Sequence, residues 1–323
     1  MRTNHTHPIS VALGLALTLS ISILLVRTTR AQKTTPRVDA ADTEEEIPFH
    51  FNGVTWRDKR EYLERARCST HVPTLDEQDD IERRAEQLPA SRAQVSPMIE
   101  SQPLVINVHF HVIRSIGAVE GNVTLQTIKS QIDILNAAYN GSGFQFQLAS
   151  IERRNNDNWF NSSPGTQAEA RMKRTLRQGT AEDLNIYTLN AAGGLTGWST
   201  FPWEYADHPK LDGVVLLYSA LPGGTAAPYN EGDVAVHEIG HWLGLYHTFQ
   251  GGCHNPGDSV SDTPSERVPN FDCPLGRDTC PTSVGLDPVT NYMDDTDDAC
   301  MFEFTPGQIA RIGNQWLTFR AGF

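Results

Sequence analysis

The feature that most constrains this chain is the stretch His237–His247, which spells H-E-I-G-H-W-L-G-L-Y-H. Residues four positions apart lie on one face of an α-helix, so His237 and His241 can direct two imidazoles to one point. Gly244 tolerates the left-handed conformation that ends many helices, and the chain can then turn so that His247 approaches as a third nitrogen. The stretch therefore predicts a helix, a glycine stop and three converging histidines.

Three histidine nitrogens are the ligand set of a catalytic zinc site, because they leave the fourth position open to water. Zinc lowers the pKa of that water to about 7, and Glu238 is placed to accept its proton as general base. The alternative is a buried amphipathic helix that carries three histidines by chance, which the long spacing with its glycine makes rare. We therefore expect one catalytic Zn²⁺ held by His237, His241 and His247, with Glu238 as the catalytic base.

The long form of this motif resembles that of the metzincin zinc endopeptidases. Their second marker is a tight turn whose methionine lies beneath the metal, and Met293 within Asn291–Asp295 stands where such a turn belongs. With its C-terminal cysteines the chain is similar to the pappalysin-like branch, and within it to fungal secreted metalloproteases, from about Leu104 onward. The resemblance implies an α/β metzincin fold and a monomeric hydrolase, made as a zymogen, that cleaves peptide bonds of proteins.

After residue 103 the pattern is that of a folded α/β domain. Strand and helix patterns alternate, and they predict strands over Leu104–Ile113, Phe144–Ile151, Asp183–Leu189 and Gly213–Leu221, with helices over Leu125–Asn140 and Gln167–Gln178. This alternation favours a twisted, mostly parallel sheet covered by helices. His109 and His111 lie on one face of the first strand and are predicted to be ordinary strand residues. A last helix should start at Pro306, with Thr305 as its N-cap.

The loop Gly193–Trp203, rich in glycine and aromatic residues, precedes the last of these strands. In the resembling family the strand after this loop forms the upper rim of the cleft and pairs with extended substrate. We assign that role to Gly193–Trp203, through addition of substrate backbone to a strand edge.

One position departs from the family's pattern. Members commonly carry a tyrosine two residues after the turn methionine, where its hydroxyl reaches the oxyanion, and here the residue is Asp295. An ionised carboxylate donates no hydrogen bond, and the loss of one such donor typically costs about 10²–10³ in rate. We expect activity weaker than in relatives with the tyrosine. Asp295 also keeps an alternative function open, that of a catalytically weakened protein that binds peptides or a partner in the same cleft.

Residues 31 to about 97 have too little apolar content for a core of their own. The apolar run Ile9–Val26 predicts a signal peptide over residues 1–31, with an uncleaved signal anchor as the alternative. The charged residues 32–97 are predicted to be a propeptide, with a simple linker as the alternative, and to contain short helices over Arg57–Arg67 and Asp76–Leu88. Whether the first segment is a cleaved signal peptide or an uncleaved anchor, the rest of the chain faces an oxidising space. We expect a secreted, extracellular protein without a membrane segment once the signal is removed.

Cys68 lies in the predicted propeptide, within R-C-S-T, and is the only cysteine outside the last 71 residues. A thiolate is a good zinc ligand, so Cys68 could occupy the open zinc position and keep the enzyme latent. Pappalysin-like propeptides carry a similar C-G-T element, in which Ser69 here replaces the glycine. The alternative is a free thiol without this role.

The C-terminal part, residues 248–323, is rich in loops, in contrast to residues 98–247, which contain the zinc helix. Its four cysteines, Cys253, Cys273, Cys280 and Cys300, allow three disulfide connectivities, and spacing does not choose between them. The resemblance implies Cys253–Cys280 and Cys273–Cys300. A second zinc ion bound by four thiolates is the alternative, but the oxidising compartment and the lack of paired C-x-x-C spacing argue against it.

Other partners and modifications are also constrained. A net charge of −13 argues against a nucleic-acid partner, because the chain would repel phosphate groups. Beyond the predicted signal segment, the N-x-S/T triplets at Asn122, Asn140 and Asn161 are candidate glycosylation acceptors. Similar proteases bind calcium in the loop region after the zinc helix. The oxygens offered there define a candidate Ca²⁺ site, with an ordinary solvated loop as the alternative: Asp258, Ser261, Asp262 and Thr263.

Overall fold

A computed structural model describes residues 48–51, 54–62, 67–87, 103–254 and 256–323. The predicted signal segment lies outside these ranges. Among the described residues no helix is both long enough and apolar enough to span a bilayer.

The described chain starts with a short hairpin and two helices: β1 (Phe49–Phe51), β2 (Val54–Trp56), α1 (Lys59–Tyr62) and α2 (Leu75–Glu86). The main strands and helices follow: β3 (Leu104–Arg114), α3 (Leu125–Ala138), β4 (Phe144–Asn155), α4 (Asp157–Phe160), α5 (Gln167–Leu176), β5 (Leu184–Leu189), β6 (Gly197–Ser199), β7 (Val214–Leu217), α6 (Asp233–Trp242) and α7 (Pro306–Phe319). The strands and helices predicted between residues 104 and 221 are all present, with bounds that differ by a few residues.

Strands β3 to β7 form one sheet in the order β4-β3-β5-β7-β6. The pairs β4–β3, β3–β5 and β5–β7 are parallel, whereas β6 runs antiparallel to β7. This is the mostly parallel α/β sheet expected from the alternating pattern. The exception, β6, lies inside the predicted rim segment Gly193–Trp203 and forms one edge of the sheet.

The core lies where the apolar faces of the sheet and helices meet. Alternate residues of β3 are completely buried: Ile106, Val108, Phe110 and Val112. The apolar residues that recur at helical spacing along α3 are also buried. The next position in this spacing, just after the helix, is Tyr139, whose hydroxyl donates a hydrogen bond of 2.9 Å to the carbonyl of Val236 on α6. Helix α3 thus packs against β4 of the sheet and against α6, the helix that carries the histidines.

Helix α6 is buried on every side, and it packs against β6 and β7. At Gly240 a Cβ atom would overlap Sδ of Met293, so glycine is needed where the methionine turn approaches the helix. After the helix, Gly244 has φ of +99°, and a Cβ there would lie 2.6 Å from Cγ of Gln315. The glycine stop therefore has both a conformational and a packing reason.

The segment between α6 and α7 is crosslinked by Cys253–Cys280 and Cys273–Cys300, the pairing that the resemblance implied. The alternative of a four-thiolate zinc site is therefore wrong. Helix α7 starts as expected, since the side chain of Thr305 accepts a hydrogen bond from the backbone N–H of Gln308.

Buried charges join α7 to the end of α6. Arg320 pairs with Asp212 at 3.0 Å and also donates to the carbonyl of Trp242 at 3.0 Å. Asp212 accepts a further hydrogen bond from the indole nitrogen of Trp242. Because buried ions destabilise a fold unless they are paired and hydrogen-bonded, this satisfied group holds α7 in one position against α6.

The N-terminal segment packs on the larger part of the molecule and does not form a core of its own. Tyr62 at the end of α1 is fully buried, with its ring 6.0 Å from that of Tyr229. Phe51 contacts the same tyrosine edge-on at 5.7 Å. The few apolar residues of the predicted propeptide are thus used to bind the domain that follows it.

Candidate metal centre

Three imidazoles converge at the C-terminal end of α6. Nε2 of His241 lies 3.1 Å from Nε2 of His237 and 3.1 Å from Nε2 of His247. On their other side, Nδ1 of His237 and Nδ1 of His241 each lie 2.8 Å from a backbone carbonyl, of Tyr292 and Leu245 respectively. A carbonyl oxygen only accepts hydrogen bonds, so Nδ1 carries the proton in both of these rings.

These tautomers leave Nε2 lone pairs on His237 and His241 that face each other. Two lone pairs 3.1 Å apart repel unless a cation lies between them. Nitrogens bound to one tetrahedral zinc ion at about 2.0–2.1 Å are about 3.3–3.4 Å apart, close to the observed separation. Burial also lowers the pKa of His241 to about 4, which keeps its ring neutral and available as a ligand. The three histidines therefore fit a zinc ion.

Cys68 is the fourth group at this point. Its Sγ lies 3.6 Å from Nε2 of His241, and the four potential ligand atoms lie within 4.8 Å of one another. Sulfur and nitrogen bound to one tetrahedral zinc ion are also about 3.6 Å apart. Among the residues that the structure describes, no other group of three or more His, Cys, Asp or Glu side chains meets in this way.

The segment around Cys68 lies along the edge strand β6. Cys68 forms a parallel bridge with Gly197, and the N–H of Ser69 donates to the carbonyl of Gly197 at 3.1 Å. The predicted rim is thus a strand edge whose backbone groups bind an extended peptide, and in this structure the peptide is a segment of the chain itself, within the predicted propeptide.

Glu238 follows His237 on α6 and is fully buried. Gly197 makes room for it, since a Cβ at that position would lie 2.9 Å from both Cγ and Oε1 of Glu238. Burial raises the pKa of Glu238 to about 8, against the opposing effects of a hydrogen bond from Thr70 and the charge of Arg67. Sequence reasoning identified Glu238 but not Gly197, because no local pattern indicates which residue of α6 faces the strand.

Thr70 contacts the Glu238 carboxylate directly. Its hydroxyl donates to Oε2 of Glu238 over 2.9 Å and accepts a hydrogen bond from the N–H of Ser199 at 2.8 Å. The second bond leaves the hydroxyl hydrogen for the carboxylate. This residue was missed at the sequence level, although it stands only two positions after Cys68. Two side chains of the predicted propeptide, Cys68 and Thr70, therefore contact the histidines and the carboxylate.

Arg67, next to Cys68, is fully buried in a polar recess. It donates to Oγ1 of Thr196 at 3.1 Å, and its guanidinium lies 4.6 Å from the centre of the Tyr229 ring. Asp295, in the position where the family commonly has tyrosine, is also buried. Burial raises the pKa of Asp295 to about 7, and the charge of Arg67 opposes that shift.

Two further contacts hold α6 in place. Met293 is fully buried in the predicted methionine turn, and its carbonyl accepts a hydrogen bond of 3.1 Å from the N–H of Thr248. Asp298, just beyond the turn, accepts the N–H groups of Glu231 and Gly232 at 2.8 and 3.2 Å, at the N-terminal end of α6. These hydrogen bonds from Asp298 to the start of α6 were not anticipated, because the residues that they join are far apart in the chain.

The candidate calcium loop is only partly assembled. Asp258, Ser261 and Thr263 line one cavity of about 320 Å³, and Oδ2 of Asp258 is buried without a hydrogen-bond partner. Asp262 points elsewhere, because it accepts the N–H of Gly307 at 2.8 Å at the start of α7.

The remaining predicted positions lie outside the metal centre. Asn122, Asn140 and Asn161 are exposed to solvent. His109 bonds to Oγ of Ser150 at 2.8 Å, and His111 to Oδ1 of Asn185 at 3.0 Å, so both behave as ordinary strand residues.

Comparison with known proteins agrees with this geometry. The family model described as pregnancy-associated plasma protein-A matches residues 181–316. An extracellular metalloprotease of Podospora anserina is 44% identical over 226 residues, which cover 69% of this chain and 76% of the relative. One of Verticillium alfalfae is 40% identical over 284 residues, which cover 83% of this chain and 95% of the relative.

Solved structures give the same result. A variant of Tannerella forsythia promirolysin matches with a TM-score of 0.61 and 27% identity, covering 79% of this chain and 94% of that chain. Mature mirolysin in complex with a cleaved peptide matches with a TM-score of 0.58 and 28% identity, covering 68% and 96%. The chain belongs to the pregnancy-associated plasma protein-A, or pappalysin-like, family of metzincin metalloproteases.

Proposed function

We propose that this protein is a secreted zinc endopeptidase made as a zymogen, which cleaves peptide bonds within proteins. The observation that carries the proposal is the convergence of three neutral imidazoles beside the buried carboxylate of Glu238. His237, His241 and His247 would hold the ion. A bound zinc ion would supply Lewis-acid polarisation of the scissile carbonyl and acidify the water that it coordinates.

The chain's own residues have two tasks in this reaction. Glu238 takes a proton from the attacking water and passes it to the leaving amine; its raised pKa, about 8, suits an acid–base group that works near neutral pH. Strand β6 orients the substrate by hydrogen bonds from its backbone, since Gly197 and Ser199 already bind an extended segment in this way. Its antiparallel partner β7 keeps the strand fixed.

Hydrolysis of a generic protein tests this function. The chain freed of residues 1–97 is expected to degrade casein, to lose that activity with a zinc chelator and to regain it with added Zn²⁺. His247→Ala serves as the matched variant. It removes one ligand, so it should bind the ion too weakly to hydrolyse the substrate. No hydrolysis by a fully metallated chain would favour the alternative function, a catalytically weakened peptide-binding protein.

The same proposal includes latency. Cys68 would supply the fourth ligand, and Thr70 would occupy the carboxylate that the reaction needs. In this form the propeptide excludes both water and substrate from the centre. The similar structure of Tannerella forsythia promirolysin is that of a proenzyme, which supports this view.

We further propose the division 1–31 signal, 32–97 propeptide, 98–247 and 248–323 for the two parts of the mature enzyme, which we take to be an extracellular monomer. Glycosylation at Asn122, Asn140 and Asn161 is compatible with their exposure. Mass spectrometry of the protein recovered from the medium would give the mature N-terminus and the glycan masses, and an intact N-terminus would contradict the division.

A calcium ion is proposed for the cavity beside Asp258. Burial raises the pKa of this carboxyl to about 7, above its unfolded value. Between about pH 4 and about pH 7, the folded protein without calcium keeps a proton that the unfolded chain has lost, so its stability falls as the pH rises. Calcium needs the ionised carboxylate. We therefore expect added Ca²⁺ to raise Tm more at pH 8 than at pH 5.

Asp258→Asn is the matched variant for this prediction. It should be more stable than the wild type at pH 8 without calcium, and it should lose most of the response to calcium. With a single carboxylate, affinity is expected in the range of about 10⁻⁴–10⁻³ M. Equal calcium responses of the two proteins in a thermal melt at pH 8 would rule out this site.

A further inference from the structure

Helix α2 of the propeptide is docked on helix α7 of the mature part, away from the metal centre. Glu82 forms a bidentate ion pair with Arg311, in which the two terminal guanidinium nitrogens lie 2.6 and 2.9 Å from the two carboxylate oxygens. The guanidinium of Arg311 is buried, and Glu82 is one-third exposed. Bidentate pairs between arginine and carboxylate combine two charge-assisted hydrogen bonds with a defined geometry, so this contact sets the position of α2.

Arg311 is also held from the other side, which makes it a rigid receptor. Its Nε donates to the carbonyl of Gly244 at 2.9 Å, and its guanidinium lies 4.6 Å from the centre of the Tyr246 ring. A side chain that is already fixed loses little entropy when a partner binds. The receptor surface for Glu82 is therefore a preformed part of the mature domain.

Further contacts extend the docking along α2. Arg84 lies over the ring of Phe319 at 4.7 Å. At the start of the helix, the amide of Gln250 donates to the carbonyl of Pro73 at 3.3 Å, and Ile81 in the middle is buried. These contacts span the helix from the residue before its N-cap to its last turn.

A second contact area lies on the other side of Cys68. Tyr62 and Phe51 surround the ring of Tyr229, and Tyr62 has no exposed surface. The blocking residues Cys68 and Thr70 thus lie between two separate anchors. Neither anchor depends on the bond that joins the propeptide to the mature chain.

We propose that residues 48–87 stay bound as a non-covalent inhibitor after the chain is cut between residues 87 and 103, with α2 on α7 as the principal anchor. This presupposes the zymogen function proposed above. Cutting removes only the high effective concentration that a covalent tether supplies, not the contacts themselves. Activation then requires a second event, such as digestion of the segment that remains bound.

A full-length chain with a site for a specific protease inserted between residues 87 and 103 tests this. After complete cutting at micromolar concentration, the two fragments are expected to co-elute in size-exclusion chromatography, and the complex should stay inactive. Separation of the fragments on cutting would overturn the proposal, whether or not the protein has protease activity. Activity after a mild denaturant wash reports separately on the proposed function.

Two variants locate the anchor. Glu82→Gln should speed dissociation of the cut propeptide at least about tenfold, because it removes the charge that pairs with Arg311. Asp79→Asn is the matched control: it makes the same change of charge on the same helix, and Asp79 is exposed and forms no ion pair among the described residues. Equal dissociation rates for the two variants would show that α2 is not the anchor.

Discussion

Replacing Glu238 with Gln should lower the turnover of protein substrates by about 10²–10⁴-fold, the usual contribution of a positioned acid–base group. The expected reason is that an amide cannot take a proton from the attacking water. Folding should be unaffected, because Gln is isosteric and the pKa of about 8 shows that burial already disfavours the charged carboxylate. The measurement is kcat/KM on a peptide substrate together with the zinc content per chain, which should remain at one.

Asp233→Asn provides the control for this experiment. Asp233 lies on the same helix, and burial with the charges of Asp298 and Glu231 raises its pKa to about 8 as well. The control therefore makes the same change in a similarly buried environment one helical turn before His237, and it should retain nearly full activity because Asp233 itself is not placed to take a proton at the histidines. If the Glu238 variant kept more than about a tenth of wild-type activity with zinc bound, another group would have to be the base.

Replacing Cys68 with Ala should give the unprocessed chain measurable activity, about 10²-fold above that of the wild-type zymogen. Zinc binding by four protein ligands is worth about 10–16 kcal/mol, or about 3 kcal/mol per ligand, which corresponds to about two orders of magnitude. The activity is measured on a short peptide before any cleavage of the propeptide, with chain integrity checked on a gel.

The neighbouring residues separate the thiol's role from general loosening of the segment. Ser69→Ala should remain latent, because Ser69 binds β6 through its backbone N–H. In the unprocessed chain, Thr70→Val should give less activity than Cys68→Ala but more than Ser69→Ala, because it frees only the Glu238 carboxylate. A Cys68 variant as inactive as the wild-type zymogen, yet active after removal of the propeptide, would assign latency to the other contacts alone.

The convergence of the three histidines was predictable because they are close in sequence. Helical spacing brings His237 and His241 together, and Gly244 allows the return of His247. The approximate positions of the main strands and helices were predictable for the same reason, since they follow local periodicity.

The partners of that centre were not predictable from spacing. Thr70 and Glu238 are separated by 168 positions, and Glu82 and Arg311 by 229, so no local pattern links them. Gly197 likewise shows its purpose only when the edge strand lies against α6.

The sequence by itself determined the three histidines, the carboxylate beside them and the alternating α/β order, because helix and strand periods depend only on neighbouring residues. The sequence offered Cys68 as a ligand or as a free thiol, and only the tertiary structure decided how the predicted propeptide fills the cleft: it lies along β6, with Thr70 on Glu238 and α2 on α7. The physical reason is that these contacts depend on which surfaces meet when the sheet and helices pack, and packing is a property of the whole chain.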